Sequence, residues 1–117
     1  MAVRRIVVNT ATEDIDAARR FYGEILGLEI LMDLSWICTY GNDHTARVQI
    51  SFASEGGSGT SVPDISIEVD DVDETHQKMQ EAGFSVVYGI ADEPWGVRRF
   101  YVKDPFGKTV NILSHLS

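Results

Sequence analysis

The sequence predicts an α+β fold built from two βαβββ modules in tandem, each a curved mixed or antiparallel sheet with a helix on its outer face. The first observation is a repeat: residues 13–22 and residues 70–79 both place acidic residues around an aliphatic one before a helical stretch, 57 positions apart. The second is that each segment follows an apolar strand candidate and leads to a glycine, Gly27 or Gly83, before a large apolar residue. Repetition of this kind indicates an internal duplication.

The length and composition indicate a single domain. With 117 residues, 44% of them hydrophobic, the chain suits one compact core and is short for two independent domains. We therefore predict one domain over residues 1–117, with module 1 at 1–53 and module 2 at 62–117. Residues 54–61 between them are rich in glycine and serine, which is typical of a flexible linker.

Each predicted helix begins at an acidic cluster. Asp14 and Asp71 are candidate N-caps, the further acids favour the positive end of the helix dipole, and Gly83 suits a left-handed C-cap. Apolar residues at helical spacing predict one buried stripe on each helix. The stripes are Ile15, Ala18, Tyr22, Ile25 and Leu26 on the first helix, and Val72, Thr75, Met79 and Ala82 on the second.

Strand candidates complete each module. One precedes each helix, at residues 6–8 and 65–69. Three follow each helix, at 29–33, 36–40 and 47–52 in module 1 and at 85–88, 97–103 and 109–113 in module 2. Residues 42–43 and 105–107 have turn composition.

Alternation along these strands sorts their residues into two faces. An apolar face is predicted to pack under the helices: Ile6, Val8, Val48, Ile50, Phe52, Ile65, Ile67, Val69, Phe100, Val102, Val110 and Ile112. The opposite face is polar and aromatic: Arg5, Val7, Asn9, Arg47, Gln49, Ser51, Asp64, Ser66, Glu68, Arg99, Tyr101, Thr109, Asn111 and Leu113, with Trp36, Cys38 and Tyr40 as an addition. An antiparallel sheet can expose such a face to water. The number of Trp and Tyr residues favours a cleft between two curved sheets.

Composition disfavours several classes of protein. A formal net charge of −8 argues against binding to nucleic acid, and the sequence has no apolar run long enough to span a membrane or to form a signal peptide. We therefore expect a cytoplasmic protein. The single cysteine, Cys38, excludes an internal disulfide, and its position in a strand favours a buried small hydrophobe over a nucleophile.

The order and spacing of several short motifs resemble the glyoxalase, bleomycin resistance protein and extradiol dioxygenase superfamily, also called vicinal oxygen chelate proteins. The motifs are Asp14-Ile15-Asp16-Ala17-Ala18-Arg19-Arg20-Phe21-Tyr22 with Leu26-Gly27-Leu28, Ile67-Glu68-Val69-Asp70-Asp71-Val72, Glu93-Pro94-Trp95-Gly96, and Asp104-Pro105-Phe106-Gly107-Lys108. The resemblance covers nearly the whole chain. It implies a cleft that holds a ligand or a metal, and a homodimer.

The same resemblance implies metal-ligand positions at the first and last strands of each module, which fall here on Val7, Gln49, Asp64 and Asn111. Valine has no donor atom and neutral amides bind divalent ions weakly, so we predict no metal and no cofactor. The histidines offer no chelating pair, because they fall in a predicted turn, on the second helix and near the end of the sequence. They are His44, His76 and His115, and each is expected at the surface.

These observations favour a metal-independent protein that binds a small molecule, either a drug or a hydrophobic or aromatic metabolite, as in bleomycin resistance proteins. The alternative is a glyoxalase-like lyase or isomerase, or another enzyme of the superfamily, that uses cleft carboxylates or an atypical metal. Asp64 and Glu68 could act as acid and base in that case, although a solvated or arginine-paired state is the simpler reading. A third alternative is a dimeric structural or accessory module. No catalytic residue is assigned.

The predicted ligand contacts combine aromatic rings with hydrogen-bonding groups of the polar face. They are Trp36, Tyr40, Gln49, Asp64, Glu68, Trp95, Arg99, Tyr101 and Asn111.

Overall fold

The computed structural model describes residues 8, 10–42 and 52–116. The N-terminal helical segment consists of a 3-10 helix, Ile15–Ala17, and a π-helix, Arg19–Ile25. The other elements in chain order are β1 (Glu29–Asp33), β2 (Cys38–Gly41), β3 (Ile65–Glu68), α1 (Val72–Glu81), β4 (Val86–Asp92), β5 (Val97–Lys103) and β6 (Thr109–His115). No helix in the described part of the chain is long and apolar enough to cross a bilayer.

The C-terminal half forms a four-stranded sheet with the strand order β3-β6-β5-β4. Strands β4, β5 and β6 follow one another through short turns and are therefore antiparallel, whereas β3 pairs parallel with β6. The segment that leaves β3 continues through α1, which covers one face of this sheet before the chain returns as β4. This confirms the α+β prediction and the βαβββ order of module 2.

In the N-terminal half, β1 and β2 form a two-stranded antiparallel sheet. The strands predicted at residues 6–8 and 47–52 lie outside the described residues except for Val8 and Phe52. Both of these side chains are exposed, although the alternation predicts them on the apolar face. The division of the chain into modules at 1–53 and 62–117 stays a prediction.

Several strand boundaries differ from the predicted ones, and two of the differences have a clear cause in the structure. β2 begins at Cys38 instead of residue 36, because Ser35 has a φ of 67° and the Leu34 N–H donates to the Ile37 carbonyl, which closes a turn around Trp36. β4 continues to Asp92 instead of ending at Tyr88, since its pairing with β5 extends that far.

The N-terminal helical segment is wound differently from the regular helix that the sequence predicts. The Leu26 N–H donates to the carbonyl of Phe21, five residues earlier, as in a π-helix. This winding brings Phe21 into the core with Ile25, although Phe21 lies outside the predicted stripe. The Asp14 side chain makes no cap hydrogen bond, contrary to the prediction.

The second helix confirms its predicted signals. The Asp71 carboxylate accepts the Glu74 N–H at 3.0 Å as the N-cap, and Gly83 adopts a left-handed φ of 84° after the last turn. The helix and the N-terminal helical segment cover the apolar face of the sheet, and the buried side chains meet in one cluster. Its members are Phe21, Ile25, Val72, Met79, Phe100, Val102, Val110 and Ile112.

A buried aspartate joins the two halves. Asp104 Oδ1 accepts the N–H groups of Phe106 at 2.9 Å and Lys108 at 2.8 Å, which fixes the turn before β6, and Oδ2 accepts the Tyr22 hydroxyl at 2.8 Å. Burial and this hydrogen bond raise the pKa of Tyr22 above its usual range. Asp104 therefore connects the N-terminal helical segment to the C-terminal sheet.

Removal of this connection should destabilise the whole domain. Asp104→Ala loses three hydrogen bonds to a buried carboxylate and is expected to lower the free energy of unfolding by about 2–4 kcal/mol. Tyr22→Phe loses one of them and should cost about 1 kcal/mol. Urea unfolding followed by circular dichroism measures both. Equal stability of the two variants would contradict the central role of Asp104.

Candidate ligand-binding site

The candidate site lies on the face of the C-terminal sheet that points away from the core. On β5, Phe100 and Val102 enter the core, so Arg99 and Tyr101, which alternate with them, point to the opposite face. Asn111 on β6 lies opposite Tyr101 in the register and donates from Nδ2 to the Ser66 hydroxyl on β3 at 3.1 Å. We call this surface, formed by β3, β6, β5 and β4, the cleft face.

Arg99 occupies the centre of an aromatic cage. Its guanidinium carbon lies 4.9 Å from the ring centroids of Trp95 and Tyr101 and 5.3 Å from that of Tyr88. The side chain is about 5% exposed, so these contacts act on a desolvated cation, where cation–π attraction is strongest. The hydroxyl of Tyr101 accepts from Nη1 at 2.8 Å.

Glu93 neutralises this buried cation. Its Oε2 lies 3.3 Å from Arg99 Nη2, and the carboxylate also accepts the hydroxyls of Ser58 and of Tyr88, the latter at 2.8 Å. Burial acts to raise the pKa of Glu93, but the two hydroxyl hydrogen bonds and the charge of Arg99 outweigh it and hold the pKa below its usual range. The cage therefore holds an ionised pair with no net charge.

Residues 56–60 cover this cage as a tight turn. The Gly56 N–H donates to the Thr60 carbonyl at 2.8 Å, and the Thr60 N–H donates to the Gly57 carbonyl at 2.9 Å. Arg99 Nη2 donates to the Gly57 carbonyl at 3.3 Å, and the Thr60 hydroxyl lies 2.9 Å from that of Tyr101. Residues 56–60 belong to the segment predicted as a flexible linker. In the structure they are hydrogen-bonded to side chains of the cleft face.

Among the described residues, two buried polar atoms of the cleft face find no hydrogen-bond partner. They are Arg99 Nε, a donor, and Asn111 Oδ1, an acceptor. In the β5–β6 register, Arg99 and Asn111 are diagonal neighbours, because Arg99 lies opposite Leu113 and Tyr101 lies opposite Asn111. Buried polar groups are usually hydrogen-bonded, and a group without a partner requires an explanation such as a bound molecule.

The two remaining carboxylates of the predicted site lie at the ends of β3 and are exposed. Asp64 Oδ2 accepts the Thr109 N–H at 2.8 Å, which extends the pairing of β3 with β6. Glu68 lies 3.1 Å from His115 Nε2 at the other end. The two carboxylates lie at opposite ends of the strand, and each already has a partner. They therefore do not form a carboxylate pair.

Trp36 and Tyr40 lie elsewhere. Tyr40 points towards the N-terminal helical segment, with its ring centroid 6.4 Å from that of Tyr22, and burial and the Cys38 thiol raise the pKa of Tyr40. Trp36 is 72% exposed in the turn between β1 and β2. The predicted convergence of Trp36 and Tyr40 with Trp95 and Tyr101 is therefore absent from the described part of the chain. Gln49 lies outside the described residues.

Trp36 and Tyr40 instead line a cavity of about 620 Å³ between the N-terminal helical segment, β2 and β3. Ile65 and Ile67 form part of its wall, and they lie on the core side of β3 because Ser66 between them is on the cleft face. The alternation predicts further apolar side chains on this core side at Ile6, Val48 and Ile50, which lie outside the described residues. We therefore interpret the cavity as core space and place the candidate site on the cleft face.

Sequence reasoning missed five contributors to the cage: Ser58, Gly57, Thr60, Tyr88 and Glu93. Tyr88 lies within the predicted strand 85–88, but it reaches the face of Tyr101 because a register shift between Val86 and Tyr88 interrupts the alternation, which the sequence pattern does not reveal. Glu93 was visible next to Trp95, but its role depends on the β4–β5 turn. The glycine and serine composition of residues 54–61 concealed the other three.

A family model described as the Glyoxalase/Bleomycin resistance protein/Dioxygenase superfamily matches residues 6–112. The chain belongs to this superfamily. No curated protein matches its sequence. The fold is similar to that of TnmS3, an antibiotic binding protein from Streptomyces sp. CB03234, with a TM-score of 0.71, 22% identity and coverage of 98% of both chains.

Two further solved structures of the glyoxalase fold are similar over most of their length. TioX from Micromonospora sp. ML1 gives a TM-score of 0.64 at 21% identity and covers 97% of this chain and 98% of its own. Lactoylglutathione lyase from Agrobacterium tumefaciens gives a TM-score of 0.59 at 20% identity, covering 88% of this chain and 86% of its own. At such identities the likeness shows the fold alone.

The residues at the superfamily's metal positions do not fit a catalytic divalent ion. The Asp64 carboxylate accepts a hydrogen bond from the Thr109 N–H. Asn111 is a neutral amide, a weak ligand for a divalent ion, and it donates to the Ser66 hydroxyl. Val7 and Gln49 lie outside the described residues, as does His44. Within residues 8, 10–42 and 52–116, no three His, Cys, Asp or Glu side chains gather as a metal site. His115 is exposed as predicted, whereas the half-buried His76 packs edge-on against Phe100 at 4.9 Å.

The Arg99–Glu93 pair predicts a pH dependence of stability. Folding lowers the pKa of Glu93 from its ordinary value of 4.5. The ionised carboxylate therefore stabilises the folded state above pH 4.5, and this stabilisation is lost as the pH falls through the lower folded-state pKa. Glu93→Gln leaves Arg99 buried without a counterion and is expected to cost about 3 kcal/mol at pH 7.

Urea unfolding of the native protein and of Glu93→Gln at pH 7 and pH 3 tests this expectation. The stability difference between the two proteins should shrink at the lower pH, whereas Asp92→Asn, an exposed carboxylate nearby, serves as the control. A difference that stayed constant between the two pH values would show that folding does not lower the pKa of Glu93.

Proposed function

We propose that this protein binds a small molecule on the cleft face without a metal. The observation that carries the proposal is the pair of buried atoms without a partner, Arg99 Nε and Asn111 Oδ1, on a surface that also carries aromatic rings. A donor and an acceptor on neighbouring strands fit a ligand that offers one acceptor and one donor, such as an amide, a lactam or a hydroxyketone.

The charge balance of the cage supports an uncharged recognition group. Glu93 already neutralises Arg99, so a further carboxylate on the ligand would meet a balanced pair instead of a free cation. The rings of Tyr88, Trp95 and Tyr101 provide apolar area, and Trp95 is half exposed. We therefore propose an aromatic drug or metabolite with a hydrogen-bonding group, and the antibiotic-binding description of TnmS3 is consistent with this class.

Binding is favoured over catalysis by the chemistry of the side chains. A superfamily lyase of the usual kind requires ligands for a divalent ion, and the sequence has valine and two neutral amides at three of the four positions. We propose accordingly that no metal or cofactor takes part, and that the protein acts in the cytoplasm, where its single cysteine would remain reduced.

We also propose that the protein is a homodimer. All five residues of β1 are exposed, and three of them, Ile30, Leu31 and Met32, are large and apolar. An isolated two-stranded ribbon is marginally stable in water, and an exposed apolar edge strand favours pairing. A second copy of the chain presents the same apolar ribbon, so a symmetric contact would cover both.

A ligand screen tests the binding function. Divalent metals, cationic glycopeptide antibiotics, aromatic drugs and glutathione conjugates are compared by thermal shift, and a ligand of the folded state should raise the melting temperature. Asn111→Leu should weaken that ligand by roughly tenfold or more, because it removes the buried acceptor. The same substitution should change stability little, since it loses the hydrogen bond to Ser66 but also removes an unpartnered buried polar atom.

Trp36→Ala in the same assay tests the ligand contacts predicted for Trp36 and Tyr40. The cleft-face proposal does not require these contacts, so the affinity for the ligand should not change. A panel without any stabilising compound, or a ligand whose affinity Asn111→Leu leaves intact, would contradict the proposed site. Stabilisation by a divalent metal together with turnover of a glutathione hemithioacetal would favour the glyoxalase-like alternative.

The dimer is tested by size-exclusion chromatography with light scattering. The native protein should have twice the mass of the 13.0 kDa chain at micromolar concentration. Leu31→Lys should shift it to the mass of one chain. Val87→Lys, at a site of similar exposure on β4 (52% against 54% for Leu31), is the matched control and should remain dimeric. A native protein found only at 13.0 kDa would refute the dimer.

A further inference from the structure

The route to the cleft face raises a steric problem for the proposed binding function. Arg99 and Tyr101 are only 4% and 3% exposed, and the two unpartnered atoms are inaccessible to solvent. A ligand therefore reaches Arg99 Nε only if some part of the cover moves. The cover over Arg99 and Tyr101 includes the turn at residues 56–60.

This turn is attached to the sheet by detachable contacts. Within the described part of the chain, its backbone pairs only with itself, through the bridge between Gly57 and Thr60, and not with any strand of the sheet. Side chains of the sheet and of the β4–β5 turn hold it instead. The contacts are Ser58 to Glu93, Arg99 to the Gly57 carbonyl, Tyr101 to the Gly56 carbonyl, and Thr60 to Tyr101.

Packing adds one further contact to these hydrogen bonds. A Cβ atom placed on Gly57 would lie 2.5 Å from Cη2 of Trp95, so the backbone of Gly57 packs directly against the indole ring. The residues on both sides of the turn, 52–55 and 61–62, are exposed, and no β-ladder anchors them. The attachment thus consists of a few hydrogen bonds and one close contact, and the chain on both sides of the turn is exposed.

We infer that residues 56–60 form a lid that closes over Arg99 and Tyr101 and opens to admit the ligand. The inference rests on the proposed function, because it concerns access to the same site. In the closed state the lid carbonyls of Gly56 and Gly57 occupy donors of Tyr101 and Arg99. Opening frees those donors together with Arg99 Nε. A ligand with acceptor groups would then take the place of the lid carbonyls, and the lid would either stay open or close again over the bound ligand.

Two glycines of the lid provide a matched pair of variants. Gly57 and Gly59 have similar left-handed φ angles of 82° and 77°, so alanine introduces similar backbone strain at both. A Cβ at Gly59 has nothing within 4 Å, whereas a Cβ at Gly57 meets Trp95. A difference in the rate of lid opening between Gly57→Ala and Gly59→Ala therefore reports the loss of the contact with Trp95 and not backbone strain.

The experiment measures lid opening without any ligand. Labelling by phenylglyoxal followed by mass spectrometry reports the accessibility of Arg99. We expect Gly57→Ala to speed this labelling by roughly tenfold relative to Gly59→Ala, the change that corresponds to the loss of one or two such contacts. Labelling of Arg98, which lies on the other face and pairs with Asp73 and Asp92, should not change.

Ser58→Ala serves as the second variant, because it removes the hydrogen bond to Glu93 without adding volume and keeps the test valid if Gly57→Ala fails to fold. It should also accelerate labelling at Arg99. If Gly57→Ala and Ser58→Ala both gave the labelling rate of Gly59→Ala, the turn would be a fixed wall and the lid would be refuted. The binding function could still be supported by the ligand screen, so the two failures are distinguishable.

Discussion

The buried cation of Arg99 is the constraint around which the cleft face is organised. A charge removed from water is costly unless it is paired and hydrogen-bonded, and here Glu93 supplies the counterion while Tyr101 and the Gly57 carbonyl accept further N–H groups. Glu93 in turn requires the hydroxyls of Ser58 and Tyr88. Each of these partners comes from a different part of the chain, so the need to satisfy one charge determines where the β4–β5 turn and the covering turn lie.

This arrangement fits the proposed metal-independent binding function. Where a metal enzyme would concentrate charged ligands at the centre of the cleft, this chain has a neutralised ion pair surrounded by aromatic rings, with an amide beside it. A balanced, weakly hydrated surface of that kind recognises shape and hydrogen-bond pattern more than charge. The acidity of the protein as a whole, a net charge of −8, therefore says little about the local preference of the site.

Local signals made the C-terminal half predictable. The Asp71 cap, the left-handed glycine after α1 and the alternation on β5 and β6 all appear in the structure where the sequence indicates them, and Arg99, Tyr101 and Asn111 were found by parity alone. Features that depend on distant contacts were not predictable. The inward position of Phe21 follows from π-helical winding, and Tyr40 points to Tyr22 because the turn around Trp36 changes the start of β2. The role of residues 56–60 depends on side chains from β5, which composition cannot reveal.

The hydrogen bond between Tyr22 and Asp104 has a consequence for any attempt to divide the chain. A fragment of residues 62–116 would leave the Asp104 carboxylate without the Tyr22 hydroxyl. It would also expose the surface of Phe84 and Phe100 that Phe21 and its helical segment cover. Burial of that surface would then depend on a second chain and therefore on protein concentration.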